Sequence, residues 1–218
     1  MEKVAFGEMN LIRKGAEASL FQARYHDLRV IVKMRLRKSY RIPELDSEIR
    51  ARRTIREAQL MREARMAGVS IPALFSVDPV NAWIVMQYVE GARLKEYLES
   101  TSPQDGCRLC EALGCLIGRL HRRGVIHGDL TTSNMILSSG KIFFIDFGLG
   151  EFSQKIEERG VDLHLLRRAL SSTHYKRAKQ LFEAVLRGYT AEVGAETANE
   201  VKARVKSIER RGRYVSER

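Results

Sequence analysis

The stretch "VIHGDLTTSNMIL", Val125–Leu137, decides how this chain is read. It sets His127, Asp129 and Asn134 in a short loop that runs directly into an apolar, strand-like segment. Asp129 follows the β-branched pair Val125-Ile126, and Asn134 comes five residues after Asp129. That spacing suits a loop presenting two oxygen-bearing side chains to one point. An isolated Asp/Asn pair is also common in plain turns, because both side chains bond readily to nearby backbone. The rest of the chain must choose.

The choice comes from "FFIDFGLG", Phe143–Gly150. An apolar strand expected over Ile142–Ile145 runs straight into Asp146-Phe147-Gly148. An unpaired carboxylate at the end of a buried strand is costly, so packing explains it poorly and a neighbouring cation explains it well. Asp146 and Asn134 would then be hard oxygen ligands suited to Mg2+, which usually keeps waters and phosphate oxygens as its other ligands. Asp129 is left as a base, or as the residue that positions a nucleophile.

Upstream of these motifs the chain reads as strands: "NLIRK", "SLFQARYH" and "LRVIVKMR", with turn signals at Gly15 and at His26-Asp27. A helix is expected from Asp46, as its cap, to Met66, with Ala51, Ile55, Ala58 and Met61 as its apolar face. Two strands follow, "PALFSV" and "AWIVMQYV", split by a turn at Asp78-Pro79. From Leu94 onward the pattern is mostly helical. Strands with one helix, then helices, predict an α+β chain of two lobes, with a ligand cleft between them.

Net charge is +11, from 38 Lys and Arg against 27 Asp and Glu, which points towards a polyanionic partner. No apolar run approaches the ~20 residues that span a bilayer. The opening "MEKVAFGEMN" has no apolar core of a signal peptide. Cys107, Cys110 and Cys115 sit in helical pattern with no second CxxC or His pair to complete a zinc site, so they read as buried helix cysteines. An intracellular, reduced setting is expected.

Lys33 lies within the β-branched strand "RVIVKMR", where a lysine is ordinarily a solvated face residue. Gly15, Ala16, Glu17 and Ala18 form a turn small enough for backbone to approach a phosphate, although "KGAEA" is not GxGxxG. Three helix acids, Glu48, Glu57 and Glu63, could meet Lys33, and periodicity does not select among them. Glu57 could equally be an exposed pair with Arg53.

Together, "HGDLTTSN", "IDFG" and the strand lysine resemble the protein-kinase superfamily. "RKSYRIPELDSEIRARRTIREAQL", Arg37–Leu60, and "KGAEA" resemble more narrowly the small atypical kinase subunit of the KEOPS complex, also called the p53-related protein kinase family. The resemblance implies a bilobal protein-kinase-like fold: a β-rich N-lobe (1–86), a hinge (87–90), a reduced helical C-lobe (91–207) and a basic tail (208–218). It implies ATP and Mg2+ as cofactors, with Asp129 and Lys33 catalytic and Asn134 and Asp146 on the metal. The nucleotide would meet Gly15, Ala16, Glu17, Ala18, Lys33, Glu57, Met86, Gln87 and Val89, with "RTIREA" selecting Glu57 as the partner of Lys33.

It further implies an ATP-hydrolysing, atypical Ser/Thr kinase subunit supporting threonylcarbamoyladenosine modification of tRNA. The implied partners are the complex's threonylcarbamoyl-transferase subunit, a second small subunit, and tRNA. The tRNA would lie on the tail and on the arginines of the long helix: Arg50, Arg52, Arg53, Arg56, Arg62 and Arg65. The implied setting is the cytoplasm, or also the nucleus of a eukaryote, with no membrane.

Departures from ordinary protein kinases are informative. Gly128 stands where they carry the arginine that clamps a phosphorylated activation loop. Only twelve residues separate Gly148 from Val161, too few for the usual activation segment. Thr131 replaces a lysine that would neutralise the transferring phosphate, so transfer should be slow. Two other classes stay open: a small-molecule phosphotransferase of the aminoglycoside-kinase type, which needs a larger helical lobe, and a non-catalytic nucleotide-binding scaffold.

Overall fold

The computed structural model describes residues 8–215, with side chains to Arg211. The opening stretch before Glu8, the side chain of Arg213 and residues 216–218 lie outside what is described. The chain divides into two compact units, 1–59 with 72–90 and 60–71 with 91–218.

The first unit is a five-stranded antiparallel sheet and most of one long helix. Strands β1 (Asn10–Lys14), β2 (Ser19–Tyr25), β3 (Leu28–Met34), β4 (Leu74–Asp78) and β5 (Trp83–Gln87) run in the order β1-β2-β3-β5-β4. His26 and Asp27 both take positive φ, the two-residue hairpin geometry that matches strand twist, and they join β2 to β3 without slack. Ala23, Val30, Val32 and Val85 form a small core, packed by Phe21, Tyr25 and Trp83. Because side chains alternate along a strand, Lys33 and Arg35 point to the opposite face from Val30 and Val32.

Helix α1 (Pro43–Met66) departs from the expectation in two ways. It begins at Pro43, so Asp46 lies inside the helix and is not its cap. Of the expected apolar set only Met61 is fully buried; Ala51 and Ala58 are half-buried and Ile55 is 41% exposed, whereas Asp46, Arg50, Thr54 and Glu57 are buried. Those four residues fall on one helical face, and each finds a partner, so polarity does not keep them at the surface. Beyond Glu57 the buried residues turn apolar, with Leu60, Met61 and Ala64 in the second unit.

The second unit is helical around two small sheets. Strands β6 (Ala92–Arg93), β8 (Met135–Ser138) and β9 (Lys141–Phe144) form one; β7 (Val125–Ile126) pairs with β10 (Glu151–Phe152) in the other. The helices are α2 (Leu94–Ser100), α3 (Pro103–Arg122), α4 (Ile156–Thr173), α5 (Ala178–Val193) and α6 (Ala195–Val215). Helices α3 and α5 touch backbone to backbone. A Cβ on Gly114 would lie 2.0 Å from the Val185 carbonyl oxygen, and one on Gly188 would lie 1.9 Å from that of Glu111. Cys110 is buried beside this crossing, and Cys107 and Cys115 are only half-buried; all three are free thiols. Helix α6 runs unbroken through Ile208, where a tail was expected to begin, and Glu209 pairs with Arg167 of α4 at 2.6 Å.

Candidate active site

In the first unit, Lys33 Nζ donates to Glu57 Oε1 at 2.6 Å. Of the three acids left open by the helix pattern, only Glu57 faces β3 in this way; Glu48 is paired with Arg52, and Glu63 with Arg123. Arg53 does not pair with Glu57 but with Glu17, at 2.5 Å. That pair ties the Gly15–Ala18 turn to α1, and Lys38 adds a second tie by donating to the Ala16 carbonyl. The turn closes on itself through Gly15 N–H to the Ala18 carbonyl, 3.0 Å. Met86 is buried on β5, and the Gln87 side chain accepts from Ala73 N–H at 3.2 Å. Tyr88 N–H donates to the Arg29 carbonyl at 3.3 Å, and the Arg29 guanidinium lies over the Tyr88 ring.

In the second unit, Asp129 and Asn134 are brought together by the 3-10 turn Thr132–Asn134. Asn134 Nδ2 donates to both the carbonyl and Oδ2 of Asp129, at 3.0 and 2.7 Å. These two bonds orient the amide and commit its nitrogen, leaving the carbonyl oxygen as the end suited to a cation. The Ile145 N–H donates to the main-chain carbonyl of Asn134 at 3.0 Å, so Asp146 follows immediately on this link. Asp146 has φ 64°, a left-handed conformation few residues other than Gly, Asn and Asp adopt readily. Its Oδ1 accepts from Gly148 N–H at 3.3 Å, a local turn that fixes the carboxylate. Among the described residues no group of three or more His, Cys, Asp or Glu side chains could hold a metal ion. One amide and one carboxylate oxygen suit Mg2+ only where phosphate and water complete its shell.

Two groups hold this loop from behind. Asp162, buried on α4, accepts from the backbone N–H of His127 at 2.7 Å and of Gly128 at 2.8 Å. His127 is fully buried; its Nε2–H donates to the Ile145 carbonyl at 3.1 Å and its Nδ1 accepts from Asp129 N–H at 3.3 Å. Burial holds this imidazole below the usual histidine range, against the pull of Asp162, Asp146 and Asp129. The neutral ring can therefore donate at one nitrogen and accept at the other. Its ring also packs on Phe147, with centroids 4.6 Å apart.

Gly128 is required by geometry. Its φ is 77°, and a Cβ there would lie 2.2 Å from the Leu149 carbonyl oxygen. The chain passes from Gly148 through β10 into α4 with no long segment between. Sequence reasoning missed Arg35 and Asp162. The available signals were a second cation two residues after Lys33, and an acid set between the apolar Val161 and Leu163 in a helical segment.

A protein kinase domain family model matches residues 7–183. The KEOPS complex subunit Bud32 of Pyrococcus abyssi is 50% identical over 94% of this chain and 96% of its own length. The chain belongs to the Bud32 family. A second Bud32 relative, an EKC/KEOPS complex subunit from Dictyostelium discoideum, is 39% identical over 93% of this chain and 82% of its own. A probable bifunctional tRNA threonylcarbamoyladenosine biosynthesis protein of Methanothermobacter thermautotrophicus is 44% identical, and the chain spans about a third (36%) of its length. Among solved structures, WaaP in complex with acyl carrier protein superposes with TM-score 0.61 at 19% identity, covering 90% of this chain and 88% of that one. The Rio2 kinase of Chaetomium thermophilum does so with TM-score 0.59 at 18% identity, covering 94% and 71%. Those two likenesses show the kinase-like fold. The family read from "HGDLTTSN" and "RTIREA" is therefore borne out, and these relatives favour neither the aminoglycoside-kinase nor the scaffold alternative.

Proposed function

We propose that this Bud32-family chain binds Mg·ATP and works as an ATPase or slow atypical Ser/Thr kinase within a KEOPS-type complex that modifies tRNA. The observation that carries the reading is the buried Lys33–Glu57 pair at 2.6 Å, the arrangement that readies a lysine for nucleotide phosphates. Lys33 is held through its Nζ by Glu57 Oε1, so its ammonium can meet phosphate oxygens without first being ordered. The Gly15–Ala18 turn would lie along the phosphates, and Met86, Gln87 and Val89 would meet the base. Asn134 and Asp146 would hold Mg2+, which when bound neutralises charge on the phosphates. Asp129, oriented by Asn134, would take the proton of an attacking hydroxyl or water.

The short passage into α4 and the glycine at 128 support an enzyme not governed by loop phosphorylation. The partners we infer are the threonylcarbamoyl-transferase subunit and a second small subunit, with tRNA on the basic surface. The arginine set on α1 needs a correction. Arg50 is buried on Asp46, Arg52 is paired with Glu48 and Arg53 with Glu17, so Arg56, Arg62 and Arg65 remain for that surface. None of the described helices is long and apolar enough to cross a membrane. Titration with ATP, with and without Mg2+, tests the nucleotide half; Mg-dependent binding is expected, and its absence refutes it. Affinity purification from the native host tests the rest, with the transferase subunit and tRNA expected to co-purify.

A further inference from the structure

Glu57 has two partners, and the second is not used by the function proposed above. Arg35 Nη2 donates to Glu57 Oε2 at 2.5 Å while Lys33 holds Oε1. Lys33 lies on β3 and Arg35 just past its end, two residues apart, and both are buried. Arg35 is itself fixed at several points. Its backbone N–H donates to the Ala82 carbonyl at 2.9 Å, and its Nη1 reaches Thr54 Oγ1 at 3.4 Å. Thr54 spends its own hydrogen on the Arg50 carbonyl at 2.8 Å, which leaves its oxygen as an acceptor. Arg50 in turn donates to the Arg35 carbonyl at 3.4 Å and is neutralised by Asp46 at 2.7 Å. The end of β3 is thus laced to three turns of α1.

We propose that Arg35 is a positioning residue that holds Glu57 against Lys33 whether or not nucleotide is bound. The physical reason lies in the difference between the two cations. A buried lysine can lose its proton when its partner leaves, whereas a guanidinium stays charged under all ordinary conditions. Withdrawing Glu57 would strand Arg35, only 3% exposed, without an anion, since Asp46 is already taken by Arg50 and Arg41. A buried charge left unpaired is strongly unfavourable. In kinases controlled through this helix, the Lys–Glu pair forms and breaks as the helix moves. Here the second cation removes that switch, and the pair stands ready before nucleotide arrives. The inference rests on the ATP-binding reading for its consequence, though not for the clamp itself.

The test compares wild type with Arg35→Met, Arg35→Lys and Thr54→Val, by amide hydrogen exchange across residues 46–57 and by the KM and kcat of ATP hydrolysis. Wild-type α1 should exchange equally slowly with and without Mg·ATP. In Arg35→Met the same amides should exchange faster without nucleotide and slow again when Mg·ATP is added. Its KM for ATP should rise about tenfold while kcat falls less. Arg35→Lys should restore part of both, and Thr54→Val should shift both in the same direction by less, which carries the test if Arg35→Met does not fold. Exchange in Arg35→Met that matches wild type overturns the proposal. So does an acceleration spread over the whole first unit that Mg·ATP does not reverse, because that marks a merely structural role. If wild type binds no Mg·ATP, the functional reading fails, yet faster α1 exchange confined to Arg35→Met still supports the clamp.

Discussion

Replacing Gly128 by alanine adds one methyl group at the centre of the candidate site and isolates the reason for a glycine there. The added Cβ would sit 2.2 Å from the Leu149 carbonyl oxygen and 2.6 Å from its carbon, both main-chain atoms that cannot rotate away. Holding a Cβ-bearing residue in the left-handed region costs roughly 1–2 kcal/mol. Relieving the overlap by backbone movement adds about 1–3 kcal/mol. For a chain of this size each kcal/mol lowers the melting midpoint by roughly 2–4 °C, so a fall of about 4–20 °C is expected. Gly140 is the matched control: its φ is 75°, but a Cβ there meets nothing within 4 Å. Gly140→Ala should therefore show only the conformational part. The two variants are compared by thermal unfolding and by ATP turnover. Gly128→Ala should also lose turnover, because its N–H orients the loop on Asp162 and Asp129 is the next residue. Equal midpoints for the two variants, or a Gly128→Ala midpoint within about 2 °C of wild type, would refute the close-contact reasoning.

Other outcomes follow from the same geometry. Asp146→Ala should abolish Mg-dependent ATP binding while Asp129→Ala keeps binding and loses turnover; equal loss of affinity in a titration of both would sink that division of roles. Removing residues 212–218 should leave unfolding unchanged, weaken tRNA binding and flatten its salt dependence, whereas truncation from Ile208 should also destabilise the second unit by breaking Glu209–Arg167. Identical tRNA affinity across a salt series for the shorter truncation would rule out a tail that contacts tRNA. Burial holds His127, His164 and His174 below the ordinary histidine value of about 6.5, so the folded chain binds fewer protons than the unfolded one. Their contribution to stability is full above that value and is lost as pH falls through it towards the folded values; the melting midpoint should drop over this window, and a flat profile would contradict it. Cys110, its thiol pushed up to about 12 by burial, should resist a maleimide that labels the half-buried Cys107 and Cys115; prompt labelling of Cys110 in the folded chain would show the α3–α5 crossing to be looser than described.

The parts of this protein that could be read from sequence are those whose physics is local. A strand running into Asp-Phe-Gly, a His-Gly-Asp loop with Asn five residues on, and a two-residue turn at His26-Asp27 each declare themselves over a few residues. They are governed by backbone conformation and by side chains reaching their own neighbours. Motif order then carried the family and the two-part α+β plan.

What tertiary structure alone decided concerns polar residues that patterning counts as surface. Helix α1 shows this directly: its sequence has a weak apolar stripe, of which Met61 is buried but Ile55 is exposed. Glu57, Thr54 and Arg50 go inside because Lys33 on β3 and Arg35 just beyond it, more than ten residues away in sequence, offer them charges and hydrogen bonds. Asp46 follows as the anion of Arg50. The same holds for Asp162, which supports a loop 34 residues earlier. A polar side chain is buried only when its partner is already in place, and where that partner lies is a property of the fold and not of the segment.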